Sequence, residues 1–166
     1  TRSVIIASGA NPTWLNADGE APLRCNGIST CATCDGAFFK DEDIVVVGGG
    51  DSAMEEAIFL TRYARTVTII HRRNTFRASK IMLERARANP KIAWKCCFVV
   101  DAWESENRAL SGATLIHTET DEREKIACTG AFIAIGHKPN TDFVKNTVQL
   151  DDDGYIIHSQ NTMTSV

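Results

Sequence analysis

Ile44-Val-Val-Val-Gly48-Gly-Gly50-Asp-Ser-Ala53 is the stretch whose reading decides the fold. Asp43 to Val47, continuously apolar from Ile44 on, has the length and hydrophobicity of a buried parallel strand. Past the glycines, Ala53, Met54, Ala57, Ile58, Thr61 and Ala64 recur at helical spacing between Ser52 and Ala64. Val67-Thr-Ile-Ile70 supplies the next strand and completes a βαβ unit. Gly48-x-Gly50-x-x-Ala53 thus follows a strand and opens a helix, the context a dinucleotide fingerprint needs. Gly48 permits a tight turn, Gly50 lets the backbone approach a pyrophosphate, and Ala53 allows close helix–strand packing. The helix amides near Ser52 and Ala53 then present the positive end of the dipole to phosphates. The alternative is a glycine turn that serves the topology alone.

The end of the second strand bears on which nucleotide fits. An NAD site places Asp or Glu there to accept from the ribose hydroxyls. Here stand His71, Arg72 and Arg73, with Arg77 shortly after. Guanidinium groups match phosphate oxygens geometrically, whereas a carboxylate would repel a 2′-phosphate. The cluster favours NADPH over NADH; a solvated basic loop is the other reading.

Outward from this unit, a second helical pattern runs through Ala78, Ile81, Met82 and Ala86 and stops at Asn89-Pro90. Ile92 to Val100 is predicted as one strand, Ala102 to Ile126 as an inserted β-meander, and Gly130 to Ile135 as a further buried strand. Val4 to Pro12 reads as a short buried strand ending in a Gly/Pro turn, and residues 13 to 30 as an irregular connection. Asp151-Asp-Asp-Gly154 looks like an acidic turn followed by a strand. The expected architecture is an α/β, Rossmann-like domain: a parallel sheet with helices and an inserted meander.

Just upstream of the fingerprint lies Cys31-Ala-Thr-Cys34-Asp35. C-x-x-C spacing lowers the pKa of one thiol, and the thiolate is the species that attacks disulfides. Asp35 is a candidate proton carrier for the departing sulfur; it is equally readable as a turn residue before Gly36. The six cysteines, at 25, 31, 34, 96, 97 and 128, do not form the framework of a small secreted domain. No second C-x-x-C or paired His accompanies the first, as structural zinc would require. Cys96 and Cys97, read as neighbours in one strand, point to opposite faces.

A hydrophobic content of 43%, a charged content of 23% and a net charge of −3 are globular values with no call for nucleic acid or membrane surface. No run approaches a membrane span, no signal-peptide layout opens the chain, and a reducing, cytoplasmic setting is expected. The missing initiator Met fits a processed or excised piece. Hydride transfer from NADPH to a disulfide ordinarily passes through flavin. With one fingerprint present, and that one marked for NADPH, the flavin would be held by other polypeptide.

Cys-Ala-Thr-Cys-Asp-Gly, Gly-Gly-Gly-Asp-Ser-Ala-Met-Glu-Glu-Ala, His-Arg-Arg-x-x-Phe-Arg-Ala-Ser-Lys and Ala-Ile-Gly-His-x-Pro-Asn-Thr occur here in that order. Together they resemble the NADPH domain of low-molecular-weight thioredoxin reductase over nearly the whole chain. Ala7-Ser8-Gly9-Ala10 resembles the point where the flavin domain hands over to the NADPH domain, with Ser8 in place of the usual Thr. The resemblance implies residues 1–12 as the end of the FAD domain and hinge, 13–160 as the NADPH domain, and 161–166 as the return. It implies an FAD-containing homodimer passing electrons from NADPH through FAD to a Cys31–Cys34 disulfide and on to thioredoxin. It also implies NADPH contacts from Ser52, His71, Arg72, Arg73, Arg77, Ile135 and Tyr155. In the same pattern Cys34 is the flavin-proximal thiol that attacks thioredoxin, and Asp35 the acid. Alternatives are an NADP-binding module without catalysis, the state expected of the fragment alone, and a related flavoprotein that reduces another disulfide carrier.

Overall fold

A computed structural model describes residues 2–159 and 162–166. The elements run β1 (Ala10–Pro12), α1 (Glu20–Leu23), β2 (Ile28–Ser29), α2 (Ala32–Asp35), β3 (Asp43–Val47), α3 (Asp51–Leu60), β4 (Thr66–His71), α4 (Lys80–Arg87), β5 (Ile92–Cys96), β6 (Phe98–Glu106), β7 (Ala109–His117), β8 (Arg123–Ala127), β9 (Gly130–Ile133) and β10 (His137–Pro139). The chain divides into two compact units: Trp14–Ile135, and Thr1–Thr13 together with Gly136–Val166. Residues 136–159, which the sequence groups with the nucleotide-binding segment, therefore fall in the second unit. The boundary expected at 160/161 lies outside the described residues.

The larger unit is built on a five-stranded parallel sheet in the order β2-β9-β3-β4-β5. Alternate residues of a strand point to opposite faces, and both faces of β3 are covered. Ile44 and Val46 join Val67, Ile69 and Phe132 in a core with Ala53, Met54, Ala57 and Leu60 of α3. Val45 and Val47 join Ile70, Ala131 and Ile133 in a second core with Trp103, Leu110 and Leu115 of the antiparallel sheet β6-β7-β8. Burial on both faces is why β3 reads as an unbroken apolar run.

The meander is present, but it begins earlier than expected. The single strand predicted over 92–100 is two strands in two different sheets. β5 ends the parallel sheet at Cys96, Cys97 takes a left-handed conformation (φ 63°), and β6 starts the antiparallel sheet at Phe98. Apolar residues continue across the break because both strands feed a core, so periodicity gives no sign of it. The opposed orientation expected of Cys96 and Cys97 in one strand is lost with the strand.

Helix α3 stops at Leu60, earlier than the apolar spacing to Ala64 suggests. The Lys91 ammonium donates to the Thr61 and Ala64 carbonyls at 2.9 and 2.8 Å, placing positive charge at the negative end of the helix. Helix α4 opens on Ser79, whose hydroxyl accepts from the Met82 amide, and ends before Asn89-Pro90. The segment predicted as irregular over 13–30 contains α1 and β2.

In the smaller unit, β1 pairs antiparallel with β10. The strand predicted from Val4 to Pro12 is thus three residues long. Val4 and Ile5 are 78% and 92% exposed, and residues 2–9 join no strand, although the Gly9 carbonyl accepts from the Asn140 amide at 2.9 Å. The acidic turn forms, with the Gly154 amide donating to the Asp151 carbonyl at 3.0 Å. The strand expected after it is reduced to isolated bridges, Leu150 with Ile156 and Ser159 with Met163. Among the described residues no helix is long and apolar enough to cross a membrane.

Candidate active site

The glycine turn closes on the C-terminal ends of β3, β4 and β9. A Cβ at Gly48 would collide with the Ala134 carbonyl and come within 2.8 Å of the Ala53 methyl. Gly48 is therefore required by close approach of helix, turn and neighbouring strand, and Ala53, fully buried, is its packing partner. Gly50 has open space where a Cβ would be and caps α3 with extended backbone. No side chain caps this helix end, and Ser52 is exposed on its first turn. Backbone amides without intrahelical partners at such an end are ready donors for an anion.

The loop after β4 is tied back onto this turn. The Arg77 and Ala78 amides both donate to the Gly49 carbonyl, at 2.9 and 3.1 Å. The Ser79 amide donates to Asp51 Oδ1 at 2.7 Å, and His71 Nε2 donates to the Thr75 carbonyl at 3.0 Å. The His71 ring stacks on Phe76 at 4.8 Å, and Phe76 meets Trp94 edge-on at 5.2 Å. Burial holds the His71 pKa below its ordinary value and the neighbouring Arg72, Arg73 and Arg77 add to this, against the opposing Thr75 bond. Arg72, Arg73 and Arg77 are exposed and, among the described residues, form no ion pair with a carboxylate.

Cys31 and Cys34 are joined in a disulfide with a Cα–Cα distance of 5.3 Å. Cys31 is the N-cap of α2 and half-buried; Cys34 is exposed. Ala32 anchors the turn in the α3-side core, and a Cβ at Gly36 would meet Leu60 Cδ2 at 2.8 Å. Phe39 packs edge-on against Phe132 at 5.5 Å. The Asp35 carboxylate accepts from the Ser29 hydroxyl at 2.6 Å, and the same Oγ accepts from the Cys31 amide at 3.0 Å. Phe38, beside this turn, is 81% exposed.

Disulfide and glycine turn leave the same edge of one sheet. Ser29 and Val46 are both level with Phe132 in adjoining parallel pairs, which sets them two strand spacings, about 10 Å, apart. Ile135 follows directly on Ala134, the residue whose carbonyl faces Gly48. Tyr155 belongs to the other compact unit, where its amide donates to Asp151 Oδ1 at 2.8 Å. Cys25 is exposed, Cys96 and Cys97 are half-buried, and Cys128 is buried, with its thiol pushed up to about 12 by burial. Among the described residues no His, Cys, Asp and Glu cluster could hold a metal.

Several residues escaped the sequence reading. Gly49 is needed because a Cβ there would overlap the His71 ring; the middle glycine of the triplet was the available signal. Asp51 braces the arginine loop, and Ser29 links Asp35 to Cys31. Glu56, on the buried side of α3, has one carboxylate oxygen buried with no hydrogen-bond partner, and burial pushes its pKa up to about 7.

Fold and site define a class: an α/β dinucleotide-binding domain carrying a C-x-x-C disulfide on the same sheet edge as its glycine turn. The chain belongs to the pyridine nucleotide-disulphide oxidoreductase family, whose profile matches residues 1–166. It is 54% identical to a thioredoxin reductase of Mycolicibacterium smegmatis, covering 99% of this chain and 53% of that protein. It is 49% identical to a bifunctional thioredoxin reductase/thioredoxin of Mycobacterium leprae, covering 99% of this chain and 36% of that one. The fold superposes on the crystal structure of Lactococcus lactis thioredoxin reductase in its FR conformation with a TM-score of 0.87 and 37% identity, over 95% of this chain and 52% of that one. The chain spans about half the length of the first of these curated relatives.

Proposed function

We propose that the chain is the nucleotide-binding, disulfide-bearing part of an NADPH-dependent, FAD-containing thioredoxin-disulfide reductase. The observation that carries this reading is the exit of the Cys31–Cys34 disulfide and the Gly48–Ala53 turn from one edge of a single parallel sheet. Ligands of open α/β sheets bind at that edge. A reducible pair beside a nucleotide site has little purpose unless electrons pass between them.

The residues present suit a phosphorylated nucleotide. Gly48, Gly50, Ser52 and Ala53 form an uncapped, uncrowded helix end for the pyrophosphate. His71 supplies an imidazole ring, and Arg72, Arg73 and Arg77 supply guanidinium charge that meets no carboxylate among the described residues, for the adenosine 2′-phosphate end. Ile135 is assigned to a remaining nucleotide contact; the contact expected of Tyr155, which lies in the other compact unit, is not carried over. Bound nicotinamide and flavin supply hydride chemistry and its conversion into electrons a disulfide can accept. We assign the flavin to segments other than this chain's single fingerprint. Cys34 is the thiol that attacks thioredoxin, Cys31 the resolving thiol, and Asp35 the group that moves a proton to the departing sulfur.

In this reading the compact unit Trp14–Ile135 stands for the nucleotide domain expected over 13–160, and residues 1–12 and 161–166 are assigned to the flavin domain and hinge. The parent is a cytoplasmic homodimer. The full-length protein, loaded with FAD, should reduce a thioredoxin disulfide with NADPH. The chain alone should bind NADPH without turnover, and added FAD should not rescue it. A full-length, flavin-loaded protein that binds NADPH yet leaves thioredoxin oxidised would replace this reading with a carrier other than thioredoxin or a binding module.

A further inference from the structure

Ser29 stands at the end of β2, 8% exposed, with its backbone held in the sheet opposite Phe132. Its hydroxyl makes two contacts at once, donating to Asp35 Oδ2 at 2.6 Å and accepting from the Cys31 amide at 3.0 Å. One sheet-anchored oxygen therefore fixes the carboxylate relative to the disulfide. We propose that Ser29 is the positioning residue of the dithiol reaction, holding Asp35 in register with the Cys31–Cys34 pair in both protonation states of the carboxyl group. This rests on the reading of Asp35 as the proton carrier.

The chemistry of a hydroxyl suits the task. Its oxygen has one hydrogen to give and two lone pairs to offer. With Asp35 ionised, Ser29 donates to the carboxylate, as observed. With Asp35 protonated, the carboxyl O–H donates to the second lone pair of Ser29 Oγ, while the Cys31 amide keeps the first. A group that only donates or only accepts would lose Asp35 in one of the two states. A buried hydroxyl on a strand also has few ways to turn aside, so the carboxylate is directed without being consumed.

The exchange it serves balances as follows. Asp35 takes the Cys34 proton, and the Cys34 thiolate bonds to one substrate sulfur as the substrate S–S bond breaks. The departing substrate sulfur receives the proton from Asp35. The Cys31 thiol then gives up its proton through the same carboxylate and bonds to the Cys34 sulfur. This breaks the mixed disulfide, and the second substrate sulfur leaves protonated. The enzyme pair loses two electrons and two protons, and the substrate gains both.

The test uses the full-length reductase bearing this segment, reduced with NADPH and mixed with oxidised thioredoxin in a stopped-flow instrument. Ser29→Ala should slow thioredoxin reduction about tenfold, the rate equivalent of one lost hydrogen bond to a charged group, with NADPH affinity and flavin reduction unchanged. Ser29→Thr, which restores the hydroxyl, should react within about twofold of wild type, and its isostere Ser29→Val should track Ser29→Ala. That pair keeps the test intact if Ser29→Ala fails to fold. Ser29→Ala combined with Asp35→Asn should be no slower than Asp35→Asn alone. A wild-type rate in Ser29→Val, or full multiplication of the two effects in the double variant, would overturn the positioning role. A wild-type rate in Asp35→Asn would overturn the proton-carrier reading itself, and that result is read in a protein with Ser29 intact.

Discussion

The imidazole of His71 lies so close against Gly49 that a methyl group at position 49 would occupy the ring. The two residues come from the ends of adjacent strands, and Arg77 and Ala78 close the same junction through the Gly49 carbonyl. Glycine turn and arginine loop are therefore one preformed surface. Gly49→Ala should displace the ring and loosen the loop, lowering NADPH affinity by about tenfold, ~1.4 kcal/mol, while the far-ultraviolet circular dichroism stays unchanged. Calorimetric titration of both proteins checks it.

Selectivity for NADPH over NADH should reside in the guanidinium groups. Arg72 is exposed and, among the described residues, pairs with no carboxylate, so its charge is available to a phosphate. Loss of one charge-assisted contact in Arg72→Ala should cost on the order of 1.5–3 kcal/mol of NADPH binding and leave NADH binding nearly untouched. Equal affinities of the unaltered chain for the two nucleotides would remove the 2′-phosphate role.

On the proposed reading, in which flavin is reduced before the thiols exchange, Cys34→Ser in the full-length protein should abolish thioredoxin reduction and spare flavin reduction by NADPH. Flavin absorbance followed after rapid mixing separates the steps. Turnover of thioredoxin at the wild-type rate would take the disulfide out of the mechanism.

Glu56 gives the fold a pH dependence. Its pKa rises from an ordinary 4.5 to about 7 through burial, so between those values the folded chain binds a proton that the unfolded chain does not. Stability from this group is complete below about 4.5 and is lost as the pH climbs through about 7. Glu56→Gln should abolish that decline and raise stability at pH 8 by roughly 1 kcal/mol, allowing for partial solvent exposure. Urea unfolding at pH 5 and pH 8 measures the difference; parallel behaviour of the two proteins would refute it.

Thiol reagents should rank the remaining cysteines by burial. Cys25 is exposed, whereas the Cys128 thiol is buried and pushed up to about 12, so almost no thiolate exists there near neutrality. Ellman's reagent at pH 8 should modify Cys25 rapidly and Cys128 only after unfolding. Mass spectrometry of the labelled peptides tells them apart.

Short-range pattern was enough for the βαβ unit, the cysteine pair and the basic loop. The valines of β3, the helical spacing of Ala53, Met54 and Ala57 and the stop at Asn89-Pro90 each report the local backbone directly, because burial and chain geometry act there over a few residues. The meander was legible from its polar turns. What the sequence could not tell was where one apolar run changes sheets: Trp94 packs against one core and Phe98 and Val100 against the other, and the left-handed backbone at Cys97 carries no glycine to announce it. The contacts of Gly49 with His71, of Asp51 with Ser79 and of Ser29 with Asp35 and Cys31 exist because strand pairing and helix packing bring separate turns to one sheet edge. Side-chain type marks which residues can make such contacts; the tertiary arrangement decides which of them do.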